Sequence, residues 1–212
     1  MHSHMPNGLY VQYGCHHHAP SGWRNFDVSP TLRFERIPLL GRLYNKNAER
    51  FPPNVEYGDI VKGLPIAHES CDGVYCSHVL EHLSLNDFHR ALHNTYIVLR
   101  PGGTFRLVMP DLESCVRAYV EDAAASAAEN FMRSAGIGIE ERPQRFMGRL
   151  MAAFGNSQHL WLWDFKAAKA ALEAAGFRNV RRATYGDAQD QRFKEVEQAG
   201  RWEDCLGIEC AK

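Results

Sequence analysis

The chain has 212 residues, is 45% hydrophobic and 23% charged, and carries a formal net charge of -1. These values suit one soluble globular domain with a sizeable core. They offer no basic footprint for nucleic acid or an anionic membrane, and no apolar run approaches the roughly 20 residues of a bilayer span.

The elements follow in chain order. Residues 1–8 read as a tail, with no basic stretch and apolar stretch of the kind that directs export. Leu9 to Tyr13 is a β-prone run ending at Gly14, and Trp23 to Val28 is a second, with Asp27 near its end. Asn54 to Tyr57 precedes Gly58-Asp59-Ile60, and Cys71 to Ser77 is a fourth run. Asn86 to Leu99 has helical spacing, with Phe88, Leu92, Tyr96 and Leu99 on one face. Pro101-Gly102-Gly103 ends that helix, and Thr104 to Met109 is a fifth strand closed by Pro110. An Ala-rich helical stretch interrupted by Gly136, Gly138 and Pro143 follows, then a helix from Phe165 to Ala175 capped by Gly176. Asn179 to Tyr185 and Cys205 to Ala211 are two late strands that suit an antiparallel pair. Strand, turn and helix in alternation predict an α/β fold around a mostly parallel sheet. The six cysteines, at 15, 71, 76, 115, 205 and 210, form no CxxC pair and read as free thiols of a cytoplasmic protein.

Three segments carry a resemblance. Leu64-Pro65-Ile66 leads into Cys71-Asp72-Gly73-Val74-Tyr75-Cys76-Ser77-His78-Val79-Leu80-Glu81-His82. Leu99-Arg100-Pro101-Gly102-Gly103 leads into a strand ending Met109-Pro110-Asp111, and Ala175-Gly176-Phe177 precedes the sixth strand. In this order and spacing they resemble the small class I, Rossmann-like methyltransferases that use S-adenosylmethionine. The resemblance implies a doubly wound sheet of seven strands with a reversed last strand. It also implies a helical insert at about 112–163, after strand five.

For the site, the resemblance implies a cofactor loop at Gly14 and Cys15. Asp27 would accept from the ribose hydroxyls, through charge-assisted bonds of about 1.5–3 kcal/mol each. Gly58, Asp59 and Ile60 would read and cover the adenine, with Ser77 and His78 at the methyl-donor end. All lie at strand ends, where open α/β sheets bind ligands. His78 and His82 are the candidate bases for an acceptor that must lose a proton. Asp111, Tyr119, His159 and Trp163 are the candidate acceptor contacts, the insert being expected to cover the pocket and exclude water. The expected partner is a small-molecule or saccharide acceptor, without nucleic acid or membrane; the oligomeric state is not legible.

The loop departs from the family pattern. Gln12 replaces an acid and His16 stands where a second glycine is usual, so a non-catalytic, Rossmann-like cofactor-binding protein is the alternative reading. His16-His17-His18 suggests a metal site, but adjacent residues converge on one ion only in a sharply folded loop. His78-Val79-Leu80-Glu81-His82 is literally H-x-x-E-H, the spacing of a class of zinc hydrolases. That chemistry needs both histidines on one helix and a third ligand. This stretch begins at a strand end, so the sequence predicts no metal and makes the zinc hydrolase a distant alternative.

Overall fold

The computed structural model describes residues 8–37, 50–141 and 158–212. Seven strands form among them: β1 (Leu9–Tyr13), β2 (Arg24–Asp27), β3 (Val55–Tyr57), β4 (Cys71–Ser77), β5 (Leu99–Pro110), β6 (Arg178–Ala183) and β7 (Cys205–Ala211). They make one sheet in the order β3-β2-β1-β4-β5-β7-β6. The neighbours from β3 through β5 pair in parallel, while β7 runs antiparallel to both β5 and β6. This is the doubly wound sheet with a reversed last strand. The order turns back between β1 and β4, so a crevice opens over the C-terminal ends of those strands.

Among the described residues, five α-helices accompany the sheet: α1 (Pro30–Glu35), α2 (Leu85–Val98), α3 (Leu112–Glu121), α4 (Ala127–Ser134) and α5 (Phe165–Ala174). One sheet face carries Val11, Tyr13, Val74, Cys76, Phe105 and Leu107, and the Phe88–Leu92 stripe of α2 and Ala168 and Leu172 of α5 bury it. The period-2 strands and period-3.6 helices thus supply matching apolar surfaces. Ser84 and Asp164 cap the starts of α2 and α5 by accepting backbone amides. Gly176, at φ +105°, makes the left-handed turn after α5.

The other face differs from the sequence expectation. Alternation implies a crossover helix between β1 and β2, but the described residues 14–23 form turns. The β6–β7 connection takes the place of that helix. Its Ala188, Phe193, Val196 and Trp202 pack with Trp23, Tyr75 and Val108 into a second apolar cluster. Arg106, fully buried on β5, ties the connection down. Its guanidinium contacts the carboxylates of Glu197, Glu209 and Asp187 and donates to the Thr184 carbonyl. It also lies 4.6 Å over the Trp202 ring. Removing one partner of such a buried pair typically costs about 3–5 kcal/mol.

The sequence reading also lacked α1, though Ser29 at its N-cap and Pro30 at its first turn signal a helix start. Strand five begins at once at Leu99, rather than at Thr104, because Leu99 already pairs with Cys71. In the insert, α3 and α4 are helical as expected; Pro143 and the rest of 142–157 lie outside the described residues. No described helix is long and apolar enough to cross a membrane.

Candidate active site

A cleft of about 820 Å³ opens over the ends of β1, β2, β3 and β4. Gly14, Asp27, Gly58, Asp59, Ile60, His78 and His82 line it, together with His16, Lys62, Leu160 and Arg201. Its size is that of an ordinary small-molecule pocket.

The loop after β1 sets one wall. Gly14 turns at φ +70°, and a Cβ there would meet Val79 Cγ2 at 2.1 Å. His16 keeps the left-handed conformation, φ +50°, that a glycine would adopt freely. Asp27, 8% exposed, stabilises this turn: its carboxylate accepts from His16 N at 3.0 Å and Ser29 N at 2.8 Å. A carboxylate has about four acceptor positions, so capacity remains for two hydroxyl groups. Gln12 does not face the cleft. It donates to the His18 carbonyl and to Asn25, and so braces the loop from below. The Cys15 side chain packs with Leu32, Phe51 and Val55, and burial followed by the nearby Asp27 pushes its thiol up to about 12. Only its backbone is placed to contribute to the cradle.

The loop after β3 forms the opposite wall. Gly58 N donates to the Asp27 carbonyl at 3.1 Å, which couples the two loops. A side chain at Gly58 would collide with Phe26 and Leu64. Asp59 accepts from Val61 N at 3.0 Å and pairs with Lys62 at 3.2 Å, while Ile60 is buried against the core.

Beyond β4, Ser77 is held by Arg201, which donates to its hydroxyl at 2.8 Å and its carbonyl at 2.7 Å. His78, at φ +52°, donates Nε2–H to the Arg201 carbonyl at 2.9 Å, and its Nδ1 lies 3.2 Å from Glu81 Oε1. Burial opposes protonation of His78, but Cys205, Glu81 and the Arg201 carbonyl outweigh it and push its pKa up to about 10. Leu80–His82 is a single 3-10 turn, so the histidines of H-x-x-E-H do not share a helix face. The helical presentation that a zinc hydrolase of that motif needs is not formed. His82 instead donates Nδ1–H to the Gln158 carbonyl at 2.9 Å.

The acceptor candidates separate. His159 sits beside His82, ring centroids 5.0 Å apart. Asp111 caps α3 and pairs with Arg182 at 3.0 Å, away from the cleft. Trp163 is a core residue stacked on Phe88 at 4.0 Å, and Tyr119 packs against Phe131 where α3 meets α4. Helix periodicity and aromatic content do not separate such packing roles from a pocket wall. Several cleft residues escaped sequence reading, Lys62, Leu160 and Arg201 among them. Leu160 is exposed, and Arg201 arrives from a turn-rich connection in which one arginine among several carries no local signal.

A family model described as a methyltransferase domain matches residues 36–107. No curated protein matches the chain significantly. Among solved structures, an S-adenosylmethionine-dependent methyltransferase from Archaeoglobus fulgidus is 14% identical, with 97% of this chain and 86% of that one covered, at a TM-score of 0.50. A chain from the complex of the Haloferax volcanii Trm112 methyltransferase activator is 16% identical, at 98% and 85% coverage and TM-score 0.50. A Thermotoga maritima S-adenosylmethionine-dependent methyltransferase is 15% identical, at 98% and 84% coverage and TM-score 0.50. At such identities the likeness is one of fold, and the family model supplies the sequence link. Strand order and the strand-end cleft are those of the class I S-adenosylmethionine-dependent methyltransferase fold, and residues 36–107 are similar in sequence to a methyltransferase domain.

Proposed function

We propose that the cleft transfers the methyl group of S-adenosylmethionine to a small-molecule or saccharide acceptor. The observation that carries this reading is the convergence of Gly14, Asp27, Gly58, Asp59, Ile60 and His78 on one cleft at the switch point of the sheet. In this reading Asp27 holds the ribose and Ile60 covers the adenine. Asp59, already turned by Val61 N, accepts from the exocyclic amine. Arg201 gives the methionine end of the cleft a cation that suits a carboxylate.

An acceptor oxygen or nitrogen attacks the methyl carbon in line. The new bond forms as the carbon–sulfur bond breaks, and S-adenosylhomocysteine leaves with the sulfur electron pair. Alignment and water exclusion supply most of the rate, about 7–11 kcal/mol for well-held reactants. The acceptor proton passes to a base. Both nitrogens of His78 are engaged, one with the Arg201 carbonyl and one with Glu81. Of the two candidates, His82 is the one whose Nε2 makes no hydrogen bond among the described residues, its Nδ1 donating to the Gln158 carbonyl. Calorimetric titration with S-adenosylhomocysteine tests the reading: saturable one-to-one binding is expected, and no heat at any ligand concentration would refute it.

A further inference from the structure

Glu81 is 1% exposed, and neither of its carboxylate oxygens accepts a hydrogen bond among the described residues. A buried carboxylate needs counter-charge or donors on both oxygens, and His78, 3.2 Å from Oε1, is the one close charged partner among the described residues. Three imidazoles surround it. His78 Nδ1, His82 Nε2 and His159 Nε2 lie 3.2, 3.9 and 4.0 Å from Oε1.

Two of these imidazoles are oriented as ligands. His82 Nδ1 faces the Gln158 carbonyl at 2.9 Å, and His159 Nδ1 faces the Ala135 carbonyl at 2.7 Å. A carbonyl only accepts, so both Nδ1 atoms carry a proton, and both rings turn Nε2, the atom that would ligate an ion, toward Glu81. Metal-bound histidines are held by this kind of outer hydrogen bond. His82 Nε2, His159 Nε2 and a Glu81 oxygen all lie within 4.8 Å of one another. A tetrahedral zinc shell sets its ligand atoms about 3.4 Å apart, so each imidazole has to close on Oε1 by roughly half an ångström, and the two Nε2 atoms, within 4.8 Å of each other, have to close to the same spacing. The two segments are already locked together. Leu160 N and Trp161 N both donate to the Glu81 carbonyl, at 2.7 and 3.1 Å.

We propose that Glu81, His82 and His159 bind one divalent transition-metal ion of the zinc class at the edge of the cleft. Two imidazole nitrogens favour such an ion over magnesium or calcium, which take oxygen ligands. The third ligand is His159, which lies 77 positions beyond His82 in the chain and is brought in by the fold. Three protein ligands leave a position open, and because His82 lines the cleft a water or acceptor atom can reach it. As a ligand His82 gives up its lone pair and is no longer a base. The proposal does not rest on the methyl-transfer reading, since the ion is measured without cofactor.

The test strips the full chain with a chelator and titrates it with zinc chloride by calorimetry, with elemental analysis after dialysis. One tightly bound equivalent is expected in the wild type. His82→Ala, His159→Ala and the isosteric Glu81→Gln should each weaken it at least tenfold. His17→Ala/His18→Ala, which removes two histidines of the rival triplet, should leave it unchanged. Circular dichroism establishes that each variant is folded, and Glu81→Gln serves if a histidine variant is not. Zinc should also raise the melting temperature of the wild type and leave that of Glu81→Gln in place. Absence of stoichiometric zinc overturns the proposal, as does zinc lost from the triplet variant but kept by Glu81→Gln. In either case His78 is left as the sole counter-charge of Glu81.

Discussion

Replacing Asp27 by Asn keeps its shape and removes its charge, which separates its two roles. The carboxylate accepts from His16 N and Ser29 N. The amide has one oxygen, so one part-buried N–H loses its acceptor and faces an NH2 group. Leaving a buried donor unsatisfied costs about 1–3 kcal/mol, and stability should fall by that amount in urea denaturation followed by circular dichroism. The ribose loses a charged acceptor as well. S-adenosylhomocysteine affinity should fall at least tenfold, about 1.4 kcal/mol or more, in calorimetry under conditions where both proteins are folded. An analogue lacking both ribose hydroxyls closes a double-mutant cycle. If Asp27 holds the ribose, loss of the hydroxyls weakens wild-type binding much more than binding to Asp27→Asn. Equal losses in the two proteins would refute the ribose assignment and leave Asp27 as a strut of the loop.

Other outcomes follow from the same geometry. Gly14→Ala combines a left-handed backbone, costing about 1–2 kcal/mol for an L-residue, with a clash against Val79. It should abolish S-adenosylhomocysteine binding, and Val79→Ala in the same chain should restore part of it; no rescue would place the defect elsewhere. Burial pushes the Cys15 and Cys71 thiols up to about 12 and about 11, and raises Cys76 and Cys210 further. At mildly alkaline pH a thiol reagent should therefore label half-buried Cys115 and Cys205 first, with the other four reacting on denaturation; early labelling of Cys76 contradicts the packing. Burial opposes ionisation of Asp187, but Arg181 and Arg106 outweigh it and hold its pKa at about 2. An unfolded Asp titrates near 3.9, so the stabilisation is complete above about pH 4 and lost as pH falls toward 2. The stability gap between wild type and Asp187→Asn, read from urea midpoints, should narrow over that window; a constant gap rejects the pairing.

What the sequence determined by itself is the local grammar. β-prone runs placed β1, β4 and β7 at their observed limits, and the stripe through Phe88 and Leu92 placed α2 within one residue at each end. Gly14, Asp27 and Gly58 were legible as strand-end residues because turns and close backbone approaches demand particular residue types. Tertiary structure decided the rest. Nothing local says that the β6–β7 connection, rather than a crossover helix, covers the second face, because that exchange depends on which apolar surface is left unburied. Asp111 and Trp163, read as acceptor candidates, serve as a helix cap and an aromatic stack in the fold. The same holds for what was gained. Arg201 reaches Ser77 across 124 positions, and His159 reaches Glu81 from near the end of the insert. Periodicity reports neighbours within a few residues, whereas a site is assembled by strand order and chain return, which only the folded sheet contains.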